Sequence, residues 1–231
     1  MNKTRSDRRI KLEYMKIPGI TPQMIKLTLA VLFVSCFGSM AQDPFEGITE
    51  KKILPMLQHL PYKLGGMNVP PSDGRLLFDL VKENGYRRGL EVGTSNGYSA
   101  LWIGLAFRET GGKMITIEID AKSAAEAREN FRKAGLDTII DSRINDAFAE
   151  IPGIEGEFDF IFLDSWKPDY IRLVDLLYDR LKPGGIIAAH NVTNQGNQMK
   201  DFLDRIRKDP GLTTRIEKSS SSGMSVSRKK E

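Results

Sequence analysis

The chain has 231 residues, of which 40% are hydrophobic and 28% are charged, a composition that suits one ordinary globular domain and a tail. Its formal net charge of +4 arises at the N-terminus, because residues 1–26 carry seven basic and two acidic side chains and residues 27–231 therefore sum to about −1. This distribution leaves no basic face, so we expect no nucleic acid as a partner. The single cysteine, Cys36, excludes an internal disulfide framework and a cysteine-based zinc site.

An apolar run at residues 27–37 follows Lys26 and precedes small residues at 38–41. This order is typical of an export signal, here starting at Met24 with cleavage after Ala41, and the run is too short to cross a bilayer as a mature helix. Lipidation of Cys36 and a retained anchor helix stay open as alternatives. The sequence thus predicts a leader and signal or anchor segment at 1–41 and a domain at 42–231. The protein would be exported or membrane-attached, and cytoplasmic if the segment is not used.

Hydrophobic periodicity and turn residues predict the elements that follow the leader. The first are a helix at 43–57, a Gly/Pro-rich linker at 62–71 and a helix through 76–81 that Ser72 or Asp73 could cap. Strands are predicted at 88–92, 113–119, 139–144, 158–163 and 186–190, and helices at 98–108, 123–134, 170–181 and 198–208, with a helical turn at 147–151. Two short strands at 213–217 and 223–227 flank a flexible segment at 219–222. This alternation predicts an α/β fold with a doubly wound, mainly parallel sheet of seven strands.

The turn after the first predicted strand is rich in glycine. In such sheets ligands bind beyond the carboxyl ends of the strands, where the strand order reverses. The run EVGTSNGYS occupies residues 91–99, and in it Gly93 permits a sharp turn and a close approach of a ligand. Gly97 permits entry into the next helix, whose N-terminus offers N–H groups. The spacing is not the G-x-G-x-x-G of a dinucleotide site, which disfavours a pyrophosphate.

Three acidic residues surround this turn in the predicted fold. Glu91 precedes the turn, where a carboxylate could meet an amino group. Glu118 ends the second strand, where an acid accepts both ribose hydroxyls, and Asp146 follows the third strand, where it could accept from an adenine amino group. Together the three carboxylates indicate an adenosine site without phosphates.

On these motifs the chain from about residue 65 to residue 229 resembles the class I O-methyltransferases of the catechol and caffeoyl-CoA type, which bind S-adenosylmethionine. The resemblance rests on EVGTSNGYS at 91–99, ITIEI at 115–119, MNV at 67–69, FLDSWK at 162–167 with Tyr170, and GMSVS at 223–227. It implies a Rossmann-like sheet whose last strand is antiparallel. It also implies a donor site at Val69, Glu91, Gly93, Ser95, Gly97, Ser99, Glu118, Asp146, Ala147 and Trp166, with Trp166 beside the adenine.

The resemblance also implies a metal-assisted reaction. In this family a divalent cation chelates two adjacent acceptor oxygens and lowers the hydroxyl pKa, while a lysine takes the proton. Asp164 and Asn191 match two of the family's metal ligands, and Lys167 matches its general base.

His190 departs from the family pattern, which has aspartate at this position. With Asp164 and Asn191 it would form a mixed oxygen and nitrogen set, which suits manganese, iron or zinc better than magnesium. Two other interpretations stay open. His190 could itself be the catalytic base of a metal-free site, or it could be a histidine at a strand end in an enzyme that has lost this chemistry.

The predicted function is transfer of a methyl group to a hydroxyl of a small, aromatic, catechol-like acceptor. Alternatives are a metal-independent methyltransferase that uses His190 or Lys167 as base, a non-catalytic module that binds the donor or its product, and, more distantly, a nicotinamide dehydrogenase. The expected partner is the small-molecule acceptor. Contact with a membrane is expected only if the N-terminal segment stays uncleaved or is lipidated. The resemblance implies a possible homodimer through the N-terminal helices.

Overall fold

The structure is a computed structural model that describes residues 42–60 and 68–231. The predicted signal or anchor segment, most of the predicted linker and Met67 lie outside the described residues. Residues 43–231 form one compact unit. Among the described helices, none combines the length and the apolar character needed to cross a membrane.

Helices and strands alternate along most of the described chain. The helices are α1 Leu54–His59, α2 Pro71–Glu83, α3 Tyr98–Thr110, α4 Ala121–Ala134, α5 Ala147–Glu150, α6 Tyr170–Leu177 and α7 Lys200–Lys208. The strands are β1 Arg88–Val92, β2 Lys113–Glu118, β3 Ile140–Ile144, β4 Phe158–Leu163, β5 Leu181–His190, β6 Leu212–Glu217 and β7 Met224–Lys229.

The seven strands form one sheet in the order β3-β2-β1-β4-β5-β7-β6. Strands β1 to β5 run parallel to one another, and β7 is antiparallel to both β5 and β6. The predicted doubly wound, mainly parallel sheet with an antiparallel last strand is confirmed. The strand order reverses between β1 and β4, so a ligand crevice is expected at the carboxyl ends of these two strands.

Two hydrophobic cores cover the two faces of the sheet, as the apolar run at residues 160–163 of β4 requires. Because side chains alternate along a strand, Phe160 and Phe162 point into the core beneath α2 and α3, while Ile161 and Leu163 point into the core beneath α6 and α7. The sheet is therefore held rigid on both faces, and its carboxyl edge is a fixed platform for the turns that follow the strands.

The predicted helix at 43–57 is wrong over its first part. Residues 44–47 form a turn in which Gly47 has a φ of +78°, and the Asp43 carboxylate accepts a hydrogen bond from the backbone N–H of Phe45. Such a local side-chain bond competes with helix formation. The helix α1 begins only at Leu54, with Pro55 in its first turn, where a missing N–H costs nothing.

The predicted boundary between the sixth helix and the fifth strand is also wrong. Helix α6 ends at Leu177, a short 3₁₀ turn covers Tyr178–Arg180, and β5 already begins at Leu181. Leu181 pairs with Phe158, and the register shifts between Phe158 and Phe160. That irregularity accommodates Pro183, which cannot donate to the sheet.

Candidate active site

The turn after β1 brings its backbone against the end of β4. Gly93 has a φ of +98°, and a Cβ atom there would lie 2.5 Å from the backbone oxygen of Asp164. Only glycine fits this position. Gly97, with a φ of +86°, precedes α3, and a Cβ atom there would meet the ring of Phe131 at 2.5 Å. The sharp turn predicted at Gly93 thus serves an approach to the protein's own backbone, and the predicted approach of a ligand stays a prediction, whereas Gly97 serves the packing of α3 on α4.

Ser95 and Asn191 are the non-glycine residues with positive φ in the two described ranges, at 49° and 64°. One lies in the turn after β1 and the other directly follows β5, so both belong to the carboxyl edge of the sheet. A strained backbone of this kind persists where the surroundings enforce it, and it is concentrated at functional sites.

A cavity of about 280 Å³ opens at the reversal point of the sheet. Eight of the ten predicted donor-site residues line it, namely Val69, Gly93, Ser95, Ser99, Glu118, Asp146, Ala147 and Trp166. The structure thus brings together residues that span almost one hundred positions of sequence. Glu91 and Gly97 are not in the lining of this cavity, which we call the donor cavity after the predicted donor site.

The Glu118 carboxylate stands at the end of β2, facing the donor cavity. One of its oxygens accepts from the backbone N–H of Ser95 at 2.7 Å, and the other accepts from the N–H of Asp120 at 2.9 Å. Each carboxylate oxygen has a second lone pair. Both oxygens are therefore held in place and retain capacity for a ligand hydroxyl.

Glu91 is fully buried beneath the glycine turn. Its carboxylate accepts from the hydroxyl of Ser99 at 2.6 Å and from that of Thr116. Burial raises the pKa of Glu91 to about 8, although the two hydroxyl hydrogen bonds oppose the shift. Within the described residues Glu91 contacts the donor cavity through Ser99.

The outer rim of the donor cavity is apolar. Trp166 is 68% exposed and Ile119 is 70% exposed, and both line the cavity. Large apolar side chains left open beside a cavity indicate a ligand with an apolar face. Asp146 is exposed on the same rim, and its carboxylate caps α5 by accepting from the N–H of Phe148 at 2.7 Å.

A second cavity of about 330 Å³ adjoins the first and is lined mainly by polar residues. Its lining is Asn68, Pro70, Asp164, Lys167, His190, Asn191, Asn194, Gln195 and Ser222. Asn68 and Asp164 line both cavities. The predicted catalytic and metal-ligating residues are therefore gathered in one place, next to the donor cavity.

Lys167 is a buried lysine, only 7% exposed, at the wall of the second cavity. Its Nζ donates to Oδ1 of Asp164 at 2.8 Å and to the hydroxyl of Tyr170 at 2.9 Å. Tyr170 in turn donates to the backbone oxygen of Leu163 at 2.9 Å. This chain of contacts holds the amine beside Asp164, where both cavities meet.

His190 lies between two carboxylates. Its Nε2 is 2.8 Å from Oδ2 of Asp73, and its Nδ1 is 3.5 Å from Oδ2 of Asp164. Burial by itself lowers the pKa of His190, but the carboxylates of Asp164 and Asp73 outweigh it and raise the pKa to about 9.

Asp73 itself is ionised. Burial raises the pKa of its carboxyl, but hydrogen bonds from His190, Ser219 and Ser220 outweigh that effect and lower the pKa below its ordinary value. Because Asp73 is an acceptor only, Nε2 of His190 carries the proton in this hydrogen bond.

The donor atoms at the ends of β4 and β5 fit a divalent cation. Oδ2 of Asp164 and Nδ1 of His190 are 3.5 Å apart, a spacing compatible with two ligands of one cation whose bonds are about 2.1 Å long. A metal-bound histidine usually donates its other N–H to a carboxylate, as His190 does to Asp73. No cluster of three His, Cys, Asp or Glu side chains able to hold a metal occurs in the described part of the chain, so a cation here would need a ligand of another kind, such as the amide of Asn191, which lines the same cavity.

Sequence reasoning missed the contribution of Asp73. We predicted Ser72 or Asp73 as a helix cap, but α2 begins at Pro71, and the Asp73 side chain points inward to His190. A signal was available, because Asp73 is spaced four and eight residues from Leu77 and Val81 on the buried face of the helix. An acidic residue on such a face is seldom buried without a partner.

The parallel sheet with its antiparallel last strand, and the two adjoining cavities at its carboxyl edge, define a Rossmann-like methyltransferase. A profile of the O-methyltransferase family matches residues 47–218. This chain belongs to that family.

Curated relatives agree with this assignment. The chain is 33% identical over 150 residues to a catechol O-methyltransferase of Niastella koreensis, covering 63% of this chain and 66% of the relative. It is 34% identical over 152 residues to a caffeoyl-CoA O-methyltransferase of Populus kitakamiensis, covering 62% and 63%. The matched stretch thus spans somewhat less than two thirds of these relatives.

Solved structures share the fold over nearly their whole length. An O-methyltransferase of Bacillus cereus in complex with SAH superposes with a TM-score of 0.71 at 24% identity, covering 90% of this chain and 100% of that chain. The SAH-bound methyltransferase PaMTH1 of Podospora anserina gives a TM-score of 0.71 at 20% identity, covering 94% and 100%.

Proposed function

We propose that this protein transfers a methyl group from S-adenosylmethionine to a hydroxyl of a small aromatic acceptor. The observation that carries the proposal is the junction of the two cavities at Asp164, with a nucleoside-sized site on one side and a charged, polar site on the other. Catechol and caffeoyl-CoA relatives and the SAH-bound neighbours support the donor and the acceptor class.

On the donor side, each part of the ligand has a matching group. S-adenosylmethionine, when bound, supplies a methyl group on a positively charged sulfur. The Glu118 carboxylate accepts from the ribose hydroxyls, and the exposed face of Trp166 borders the adenine. Gly93 lets the turn after β1 lie directly against the backbone of Asp164 at the lining of this cavity. The protein's contribution on this side is alignment, which is the main requirement of an in-line displacement.

On the acceptor side, Asp164, His190 and Asn191 would hold a divalent cation. Such a cation, when bound, lowers the pKa of a coordinated hydroxyl. Because His190 adds an imidazole nitrogen to the oxygen donors, the set favours manganese, iron or zinc over magnesium. The polar wall of the second cavity then orients an acceptor with adjacent hydroxyls next to Asp164.

Of the two predicted bases, Lys167 is the better placed to take the acceptor proton. Its Nζ lies at the cavity wall, held by Asp164 and Tyr170. Both ring nitrogens of His190 face carboxylates, so neither is directed at an acceptor hydroxyl. A proton leaving the acceptor therefore goes to Nζ of Lys167.

The test combines donor binding with methyl transfer by the full chain. Calorimetry should show one site for S-adenosylhomocysteine, and Glu118→Gln should weaken binding roughly 10- to 100-fold, since hydrogen bonds to a charged group contribute about 1.5–3 kcal/mol. Glu126→Gln, on the exposed surface of α4, is the matched control and should bind like the wild type. Labelled methyl transfer should then be measured with catechol and caffeoyl thioesters.

Two results would contradict the proposal. One is absence of binding of the donor product by the wild-type chain, and the other is absence of transfer to every hydroxylated aromatic compound tried with manganese or magnesium present. Transfer that persists unchanged in EDTA would remove the cation from the mechanism and leave Lys167 as the base.

A further inference from the structure

Asp73 is a fully buried carboxylate that does not line either cavity. Its Oδ2 accepts from Nε2 of His190 at 2.8 Å and from the hydroxyl of Ser220 at 2.6 Å, and its Oδ1 accepts from the hydroxyl of Ser219. Burying an ionised carboxylate is unfavourable unless such partners surround it. An apolar residue would avoid that cost, so the carboxylate needs an explanation beyond packing.

The backbone that carries Asp73 is fixed by its neighbour. A Cβ atom at Gly74 would lie 2.3 Å from Nε1 of Trp102, so the backbone of α2 rests directly on the indole ring. Trp102 is itself fully buried on α3. Asp73 cannot shift without displacing this ring, and it is therefore a rigid point of attachment for the groups bonded to it.

Two parts of the second cavity, which we call the acceptor cavity, are attached to Asp73. The hydrogen bond to Nε2 sets the orientation of the His190 ring, which leaves Nδ1 facing Asp164. The bonds from Ser219 and Ser220 draw in the turn between β6 and β7, which also contains Ser222, a residue of the cavity wall.

We infer that Asp73 is a positioning residue of the acceptor site, which fixes the ring of His190 with Nδ1 toward Asp164 and holds the turn at residues 219–222 against the acceptor cavity. The kinetic consequence rests on the proposed function, whereas the hydrogen bond itself does not. A substitution that makes residue 73 a weaker hydrogen-bond acceptor should disturb the acceptor cavity and leave the donor cavity intact.

Nitrogen NMR of the full chain tests the hydrogen bond directly, because the protein has only two histidines and the exposed His59 is an internal reference. With ¹⁵N-labelled histidine, His190 should show an Nε2–H proton that is protected from solvent exchange. In Asp73→Asn this proton should move upfield, because a neutral amide is a weaker acceptor than a carboxylate. An unprotected Nε2, or a resonance that Asp73→Asn leaves in place, would overturn the inference.

A double-mutant cycle tests the role in turnover. Asp73→Asn should lower kcat/KM for the acceptor roughly 10- to 100-fold, the usual effect of removing a partner behind a functional histidine, without changing the Kd for S-adenosylhomocysteine. In a His190→Gln background the same substitution should change kcat/KM by no more than about twofold. Asp79→Asn, on the partly exposed side of α2, is the matched control and should behave like the wild type.

A purely structural role predicts a different pattern. Asp73→Asn would then lower the thermal midpoint and reduce kcat/KM by the same factor in both backgrounds, and this result would overturn the inference. Ser219→Ala with Ser220→Ala offers a second route, since it leaves the carboxylate in place and should raise KM more than it lowers kcat. If the wild type transfers no methyl group, the proposed function fails, and the NMR result still decides whether Asp73 holds His190.

Discussion

The backbone of Gly93 lies against the backbone carbonyl of Asp164, so closely that a Cβ atom on Gly93 would be 2.5 Å from that oxygen. Gly93 belongs to the turn after β1 and Asp164 directly follows β4. These strands are paired neighbours at the reversal point of the sheet. The contact therefore joins the donor cavity to the residue at which the acceptor cavity begins.

Gly93→Ala should disrupt this contact. The substitution forces a side chain into positive φ and into a backbone carbonyl, so the turn must move. We expect the free energy of unfolding to fall by about 3 kcal/mol. Binding of S-adenosylhomocysteine should be lost with it. Urea unfolding and calorimetry measure the two effects.

Gly135→Ala separates the cost of a positive φ from the cost of the clash with the Asp164 carbonyl. Gly135 also has a positive φ, of +68°, but no atom lies within 4 Å of a Cβ placed there. We expect a cost of about 1 kcal/mol and no change in ligand affinity. If Gly93→Ala and Gly135→Ala lowered the free energy of unfolding equally, the close contact between Gly93 and Asp164 would contribute nothing to stability.

Glu91 should make stability depend on pH. Its pKa is about 8 in the folded protein and 4.5 for an ordinary glutamate, so between these values the unfolded chain has lost a proton that the folded chain retains. Stability therefore falls as pH rises through this window, and the full penalty is present above about pH 8. Glu91→Gln should remove a penalty on the order of a few kcal/mol at high pH.

The measurement is urea unfolding of both proteins at several values between pH 5 and pH 9. The stability of Glu91→Gln relative to the wild type should increase steadily with pH. Glu126→Gln, an exposed substitution of the same kind, should show no such trend. A constant difference between Glu91→Gln and the wild type would mean that Glu91 is ionised in the folded protein.

Trp166 should report ligand binding by fluorescence. The chain has two tryptophans, and Trp102 is fully buried whereas Trp166 is 68% exposed at the donor cavity. An adenine placed against Trp166 would change its emission, so Trp166→Phe should abolish the change that S-adenosylhomocysteine causes. Its stability should stay within about 0.5 kcal/mol of the wild type. A full fluorescence change in the variant would place the adenine elsewhere.

Local patterns were sufficient for most of the architecture. Buried parallel strands are short apolar runs, and β4 could be located from its sequence alone because both its faces are covered. Once the strands are placed, the rule that ligands bind at their carboxyl ends brings Gly93 and Glu118 to one cavity without further information. The boundaries at α1 and β5 were less accurate because a side-chain turn and an irregular strand pairing decide them.

By itself, the sequence determined the class of sheet, the glycine turn and the set of polar residues at its carboxyl edge, since each depends on residue type and short-range spacing. Only the tertiary structure decided which atoms meet. Asp73 and His190 are 117 residues apart in the sequence. Their contact requires that α2 rests on Trp102 and that β5 ends next to α2. The environment of Glu91 was likewise decided by the tertiary structure. Only the packing of β1 shows that its side chain is fully buried and bonded to Ser99, which lines the cavity.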